Sequence, residues 1–245
     1  MAIIQNRLMK RFFLLFLLCI PVLSFKSERK QTTYTYQIAR MKYRGGGNWY
    51  VSPTSLPNLI NFCNKNLGMD INPQEGLVEP GSPEIFNYPL VHISGNGNIS
   101  FSGDEAENLR NYLIAGGFLE VNDSYGMDSA FRREIKKVFP ELNLVELPFS
   151  HPIYHQKYDF PNGLPKVHEH DGKRPIGFGL MYNGRLVCFY NYDADLGDGW
   201  EDHDVYNDPP ESHEKALEMG ANILQYVLMG QMPARSATAG DNKKP

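Results

Sequence analysis

The sequence predicts an α/β fold: an open, mostly parallel sheet with helices on both faces and an added antiparallel hairpin. Three observations carry that expectation. Strand-like and helix-like segments alternate through the middle of the chain, and parallel neighbours require such crossovers. The helical segments carry their own start and stop signals, most clearly in "SGDEAENLRNYLIAGG". Late in the chain, "IGFGLMYNGRLVCFYNY" places Asn183-Gly184 between two apolar runs, the signal of a type I′ hairpin.

Residues 1–24 come first. Arg7, Lys10 and Arg11 precede the apolar run "FFLLFLLCIPVL", which leads to Ser24 with Val22 two positions before it, the layout of a secretory signal peptide. The run falls short of the ~20 residues of a comfortable membrane span. The expectation is therefore export, to the periplasm or cell envelope if the host is a bacterium, with no membrane span after signal cleavage and an N-terminal membrane anchor if the segment is retained. Cys19 lacks the small residues that should precede a lipidated cysteine. Residues 25–32 read as a short linker, 33–230 as one domain, and 231–245 as a polar, disordered tail.

Within the domain, "YTYQIARMKY" (34–43) reads as a strand, followed by a helix from Ser55 that stops at Gly68. "YPLVHISG" (88–95) is the second strand. Ser102 and Glu105 make a capping box for a helix with Ala106, Leu109, Leu113 and Ile114 as its buried stripe and Gly116-Gly117 as its stop. "FLEVN" (118–122) is the third strand, Asp128 caps the helix "SAFRREIKKVF", and "LVEL" (144–147) is the fourth strand. The hairpin adds an antiparallel edge. "ESHEKALEMGANILQYVLMG" (211–230) closes the domain as a helix with Leu217, Ala221, Leu224 and Leu228 on one face.

The chain of 245 residues carries a formal charge of −4, and loss of residues 1–24 removes three basic and no acidic residues, giving −7. Nucleic acid is excluded as a partner by this balance and by the lack of a basic cluster. Of the cysteines outside the apolar run, Cys63 lies on the apolar face Leu56, Leu59, Ile60, Leu67 and reads as a core residue. Cys63 and Cys188 make neither a disulfide framework nor a thiolate metal site.

"RGGG" (44–47) falls where the first strand turns toward the first helix, at the carboxyl end of a sheet strand. Glycines there permit positive φ and close approach of a ligand to main-chain N–H groups, and Arg44 supplies a planar donor. Arg44, Gly45, Gly46, Gly47 and Trp49, facing Asn96, Asn98 and Asp123, are the expected site for a small polar or anionic ligand. A purely structural turn is the competing explanation. Neither a P-loop nor G-x-G-x-x-G is present.

The stretches "YRGGGNWY", "SGNGNISFS", "LRNYLIAGGFLEVNDSYGMD", "FRRE", "LPFSHPIYH", "YDFPNGLPKVHEHDG" and "DLGDGWEDHDVYNDP" resemble the bacterial domain of unknown function 4159 family, across roughly residues 33–229. The resemblance implies a flavodoxin-like fold of the class I glutamine amidotransferase-like type, with no established activity. In amidotransferases a cysteine nucleophile sits at a strand-to-helix elbow resembling "FLEVNDSYGM". Here that elbow offers Asn122, Asp123 or Ser124 and no cysteine.

Three further chemistries stay open. Ser124 with a histidine base such as His168, oriented by Asp123, would make a hydrolase; a helix cap is the simpler role for Asp123 and Ser124. His151, His155, His168 and His170 could hold zinc, although Pro152 places His151 before a helix rather than inside it. "DADLGDGWEDHD", with Asp193, Asp195, Asp198, Glu201, Asp202 and Asp204, is compatible with a loose calcium loop or a solvated acidic loop. Trp200 is either a stacking platform for a sugar ring or an apolar anchor. No cofactor is required by the sequence; zinc or calcium is compatible with it. The expected function is an exported ligand-binding or assembly domain, meeting a small ligand or an envelope protein partner.

Overall fold

A computed structural model describes residues 33–170 and 172–230; the signal peptide, linker and tail expected above lie outside the described residues. Strands β1 (Ala39–Met41), β2 (Gly76–Val78), β3 (Leu90–Gly95), β4 (Phe118–Asp123), β5 (Val145–Glu146), β6 (Ile176–Tyr182) and β7 (Arg185–Tyr192) form one sheet in the order β2-β1-β3-β4-β7-β6-β5. The pairs β1–β2, β1–β3, β3–β4 and β4–β7 are parallel, while β6–β7 and β5–β6 are antiparallel.

The helices are α1 (Ser55–Leu67), α2 (Gly103–Ile114), α3 (Asp128–Val138), α4 (Leu196–Gly199), α5 (His203–Tyr206) and α6 (Pro210–Gly230). Leu56, Leu59 and Cys63 of α1 and Leu217, Ala221 and Leu224 of α6 share a core with Leu90, Phe118 and Phe189 of the sheet. Ala106 and Leu109 of α2 and Phe131 and Ile135 of α3 share the other with Val91, Ile93, Leu119, Val121 and Tyr190. Helices therefore cover both faces, as strict alternation along each strand dictates.

Local signals worked where they were local. Gly68 ends α1 in the left-handed region at φ 64°, and Ser102 with Glu105 closes a full capping box on α2. Asn183 and Gly184 both take positive φ, 48° and 79°, as a type I′ turn needs.

Four expectations need correction. The first strand is three residues long, preceded by a single bridge from Tyr36 to Ile71, and the three-residue β2 beside it was not expected, since "GLV" is too short to show a period. "LVEL" yields only the exposed pair Val145–Glu146, antiparallel to β6 at the sheet's edge. The parallel place beside β4 goes to β7, which buries six consecutive residues there. Asp128 is the first residue of α3 rather than its cap, and Ile114 is 40% exposed while Tyr112 is buried in its stead.

On the α1/α6 face the central strands change character along their length. Leu90, Phe118 and Phe189 are apolar, but His92, Glu120 and Asn191 follow, then Ser94 and Asn122, all at most 1% exposed. His92 Nδ1 meets Glu120 Oε2, and Asn191 Nδ2 donates to Glu120 Oε1. This buried polar ladder climbs toward the carboxyl ends of the strands.

Candidate functional site

At the top of that ladder the loops after β1, β3, β4 and β7 meet. The parallel register pairs Gly95 with Asp123, so the end of β3 and the end of β4 stand level. Asn122 Nδ2 donates to Ser94 Oγ (3.2 Å) and Ser124 Oγ (3.0 Å), and its Oδ1 accepts from the Gly197 N–H at 3.0 Å. Ser52 Oγ donates to Asp198 Oδ1 at 2.6 Å, and Ser124 Oγ lies 3.5 Å from the same oxygen. Burial, reinforced by the charge of Asp195, pushes the Asp198 carboxyl up to about 6.

Beside it, His168 Nδ1 lies 2.6 Å from Asp195 Oδ2 and His168 Nε2 lies 2.9 Å from Asp208 Oδ1. In the metal-free protein these carboxylates, the hydrogen bond to Asp195 foremost, raise His168 to about 9. His170 Nε2 approaches the same Asp195 oxygen at 3.0 Å. Lys166 closes the row on Asp193 at 2.7 Å.

Backbone strain is concentrated here. Ser52, Tyr125, Asp193 and Asp195 all have φ between 53° and 95°, a region non-glycine residues leave unless their surroundings hold them. Asp123 contributes to that hold: its Oδ1 accepts from the Tyr125 and Met127 N–H groups, and Tyr190 OH donates to its Oδ2. Burial raises the Asp123 carboxyl, against the lowering effect of those bonds.

A cavity of about 340 Å³ opens at this edge, lined by Asp123, Tyr125, Asp128, His170, Lys173 and Asp193 among others. Tyr125 stacks on His170 at 4.7 Å between centroids. Further cavities lie elsewhere. One of about 320 Å³ is lined by Tyr36, Tyr88, Tyr112 and Gly117 at the start of β4. A groove of about 450 Å³ runs between α1 and α6, past His203 and His213. The groove is the largest of the three, but no strand residue lines it, and the second cavity lies at the opposite end of β4.

The residues expected from sequence divide into groups. The Arg44–Gly47 turn does face Asn96 and Asn98, but the two loops bind each other. The N–H groups of Gly47 and Asn48 donate to Asn98 and Asn96, Asn98 Nδ2 donates to the Gly45 carbonyl, and Ser100 N–H donates to the Arg44 carbonyl. A Cβ on Gly45 or Gly47 would lie within 2.8 Å of the facing main chain. Close packing of two loops thus accounts for those two glycines. Arg44 is paired with Glu105 at 3.4 Å, and Trp49 is half-buried against the α2/α3 core.

Trp200 is 1% exposed and donates from Nε1 to the Ala216 carbonyl, so it anchors the acidic loop and cannot be a stacking platform for a sugar. Asp123 satisfies main-chain N–H groups of the loop before α3 without capping the helix itself, while Ser124 sits in the serine cluster. No hydrogen bond joins Ser124 to a histidine among the described residues, because His168 is held by Asp195 and Asp208. The four-histidine group does not form: His151 Nδ1 caps its own short turn, and His155 is engaged by Asp159 and the Phe149 carbonyl. What replaces it is the group His168, His170 and Asp195.

The acidic loop is not a shared cation cage. Asp193 serves Lys166, Asp198 serves Ser52, Glu201 binds the start of α1, and Asp202 accepts from Asn58. Sequence reasoning missed the ladder itself. Its signal was present: every second residue of "LVHIS", "FLEVN" and "FYN" turns polar in strands otherwise apolar enough to be central. Cys63 and Cys188 are free and buried, and burial raises both thiols, Cys63 to about 12.

No curated protein matches the chain in sequence. A family model does, over residues 37–228, and by that match the chain belongs to the family described as Domain of unknown function (DUF4159).

Proposed function

We propose that this chain is an exported ligand-binding domain on a flavodoxin-like, amidotransferase-like fold without the catalytic cysteine. Its site is the cavity at the carboxyl edge of β4 and β7. The carrying observation is that cavity's place and lining: it lies at the carboxyl ends of β4 and β7, and its wall mixes Asp123, Asp128 and Asp193 with His170 and Lys173. Open α/β sheets bind their ligands outside the carboxyl ends of the strands.

The five mutually parallel strands run in the order β2-β1-β3-β4-β7, which supports the flavodoxin-like reading. Three carboxylates on the wall favour an amine-bearing polar ligand, such as an amino acid or amino sugar, over a simple anion. Among the described residues, the elbow offers Asn122, Asp123 and Ser124 and both thiols are buried, which leaves no thiolate for glutamine hydrolysis.

A thermal-shift panel of amino acids, amino sugars and simple anions tests the site. At a ligand concentration about 100 times Kd, stabilisation is about 2.7 kcal/mol. An amine-bearing compound should raise the Tm of the wild type and not that of Ser129→Trp, which fills the cavity from an exposed position on α3. Hits confined to simple anions, or equal shifts in the variant, would count against the assignment. Export is tested separately by mass spectrometry of the N-terminus of protein from its own host: a mature start at residues 25–30 is expected, and an intact Met1 in soluble cytoplasmic protein refutes it.

A further inference from the structure

We propose that His168, His170 and Asp195 bind one divalent transition-metal ion, with zinc the best match to the donor set. Their ligand atoms all lie within 4.8 Å of one another. Two imidazole nitrogens converge on one carboxylate oxygen, at 2.6 Å and 3.0 Å. Around tetrahedral zinc, with bonds of about 2.0–2.2 Å, ligand atoms stand about 3.4 Å apart. Insertion of the ion therefore widens these contacts by about 0.8 Å and about 0.4 Å.

An independent observation points to the cation. Asp195 is fully buried, and its second oxygen, Oδ1, has no hydrogen-bond partner among the described residues. A buried carboxylate oxygen left without a donor is costly, and a cation bound at this carboxylate offsets that cost, taking the place of the proton between His168 and Asp195. The backbone is also committed to this placement, since Asp195 is held at φ 61°.

The outer arrangement fits a metal as well. Asp208 holds His168 Nε2 at 2.9 Å, which leaves Nδ1 directed at Asp195 and fixes the ring as carboxylate–histidine–metal triads do. In "HEH" the intervening Glu169 side chain is 74% exposed, while the two histidine side chains are each 22% exposed. Two imidazoles and one carboxylate suit zinc and its neighbours; calcium prefers an all-oxygen set, and Asp193, Asp198, Glu201 and Asp202 of the loop are engaged elsewhere. Three protein ligands leave a fourth position, and His170 also lies on the wall of the carboxyl-edge cavity. The metal site stands on its own ligands and does not depend on the ligand assigned to that cavity.

The test uses the full chain, stripped with a chelator, dialysed against zinc chloride and measured by elemental analysis, with a parallel cobalt titration followed by visible absorption. About one zinc per chain is expected, with a tetrahedral cobalt spectrum. His170→Gln, at a partly exposed position, should lose the metal while keeping the wild-type circular dichroism spectrum, and Asp208→Asn should weaken binding about 10- to 100-fold. His155→Gln, outside the group, should bind as the wild type does. A chain that takes up no zinc, or a folded His170→Gln variant that binds zinc with unchanged affinity, overturns the proposal.

Discussion

At the scale of single residues, the three glycines after β1 have different duties. Gly45 combines φ 116° with facing main chain 2.8 Å from where a methyl group would stand, and at Gly47 main-chain oxygens lie 2.7 Å from the same position. Gly46, at φ 90°, has open space around it. Gly46→Ala should cost only the left-handed strain of about 1–2 kcal/mol, whereas Gly45→Ala and Gly47→Ala should cost more, because the loop at Asn96–Ser100 must move. Urea denaturation of the three variants checks the ranking; equal losses would mean the loops are not clasped.

Asp198 gives a pH prediction for the metal-free protein. Its folded carboxyl, near 6, lies above its ordinary value of 3.8. The folded state therefore holds a proton that the unfolded chain has already released, and stability falls as pH rises from about 4 through about 6. The contribution is at most about 3 kcal/mol. Asp198→Asn should flatten this decline in denaturant titrations between those pH values, and an unchanged slope would refute it. The "RGGG" run was visible in the sequence as something unusual, but its reason was not, since the main chain it packs against lies about fifty residues away.

At the scale of elements, what was legible followed from how near the cause lay. Gly68 and the Ser102–Glu105 box announce α1 and α2 because the partners are within a turn. The start of α1 shows the opposite case. Thr54 makes no side-chain cap of its own; Glu201 reaches in from 146 residues away to accept from the N–H groups of Thr54 and Ser55, at 2.8 Å and 2.9 Å. No spacing rule can reveal such a partner. Glu201→Ala should destabilise the fold by about 1–3 kcal/mol by removing the carboxylate that both N–H groups share. Ser102→Ala should cost about 1 kcal/mol. Thermal unfolding should rank Glu201→Ala as the larger loss; the reverse order would mean the acidic loop is not the cap of α1. The same distance effect hid β2 and misplaced β5, both too short for a period to show.

At the scale of the whole molecule, the α1/α6 face of the sheet is apolar at one end and polar at the other. Leu90, Phe118 and Phe189 give way to His92, Glu120 and Asn191, then to Ser94 and Asn122, beneath the loops that carry Asp123, Asp195 and His168. The fold class, helices on both faces and the hairpin followed from the alternation of segments. The site was legible in part: Asp123, Ser124, His168, His170, Asp195 and Asp198 were singled out from sequence, while Ser52 and Asp208 meet them only through the topology. The central claim is that this carboxyl edge, and not the cavity at the start of β4, receives the ligand. Amide chemical-shift mapping of the protein against the panel of amino acids and amino sugars tests it most directly. The account predicts shifts at Tyr125, Gly126, Lys173 and Asp193; shifts confined to Tyr36, Tyr88 and Gly117 would contradict it.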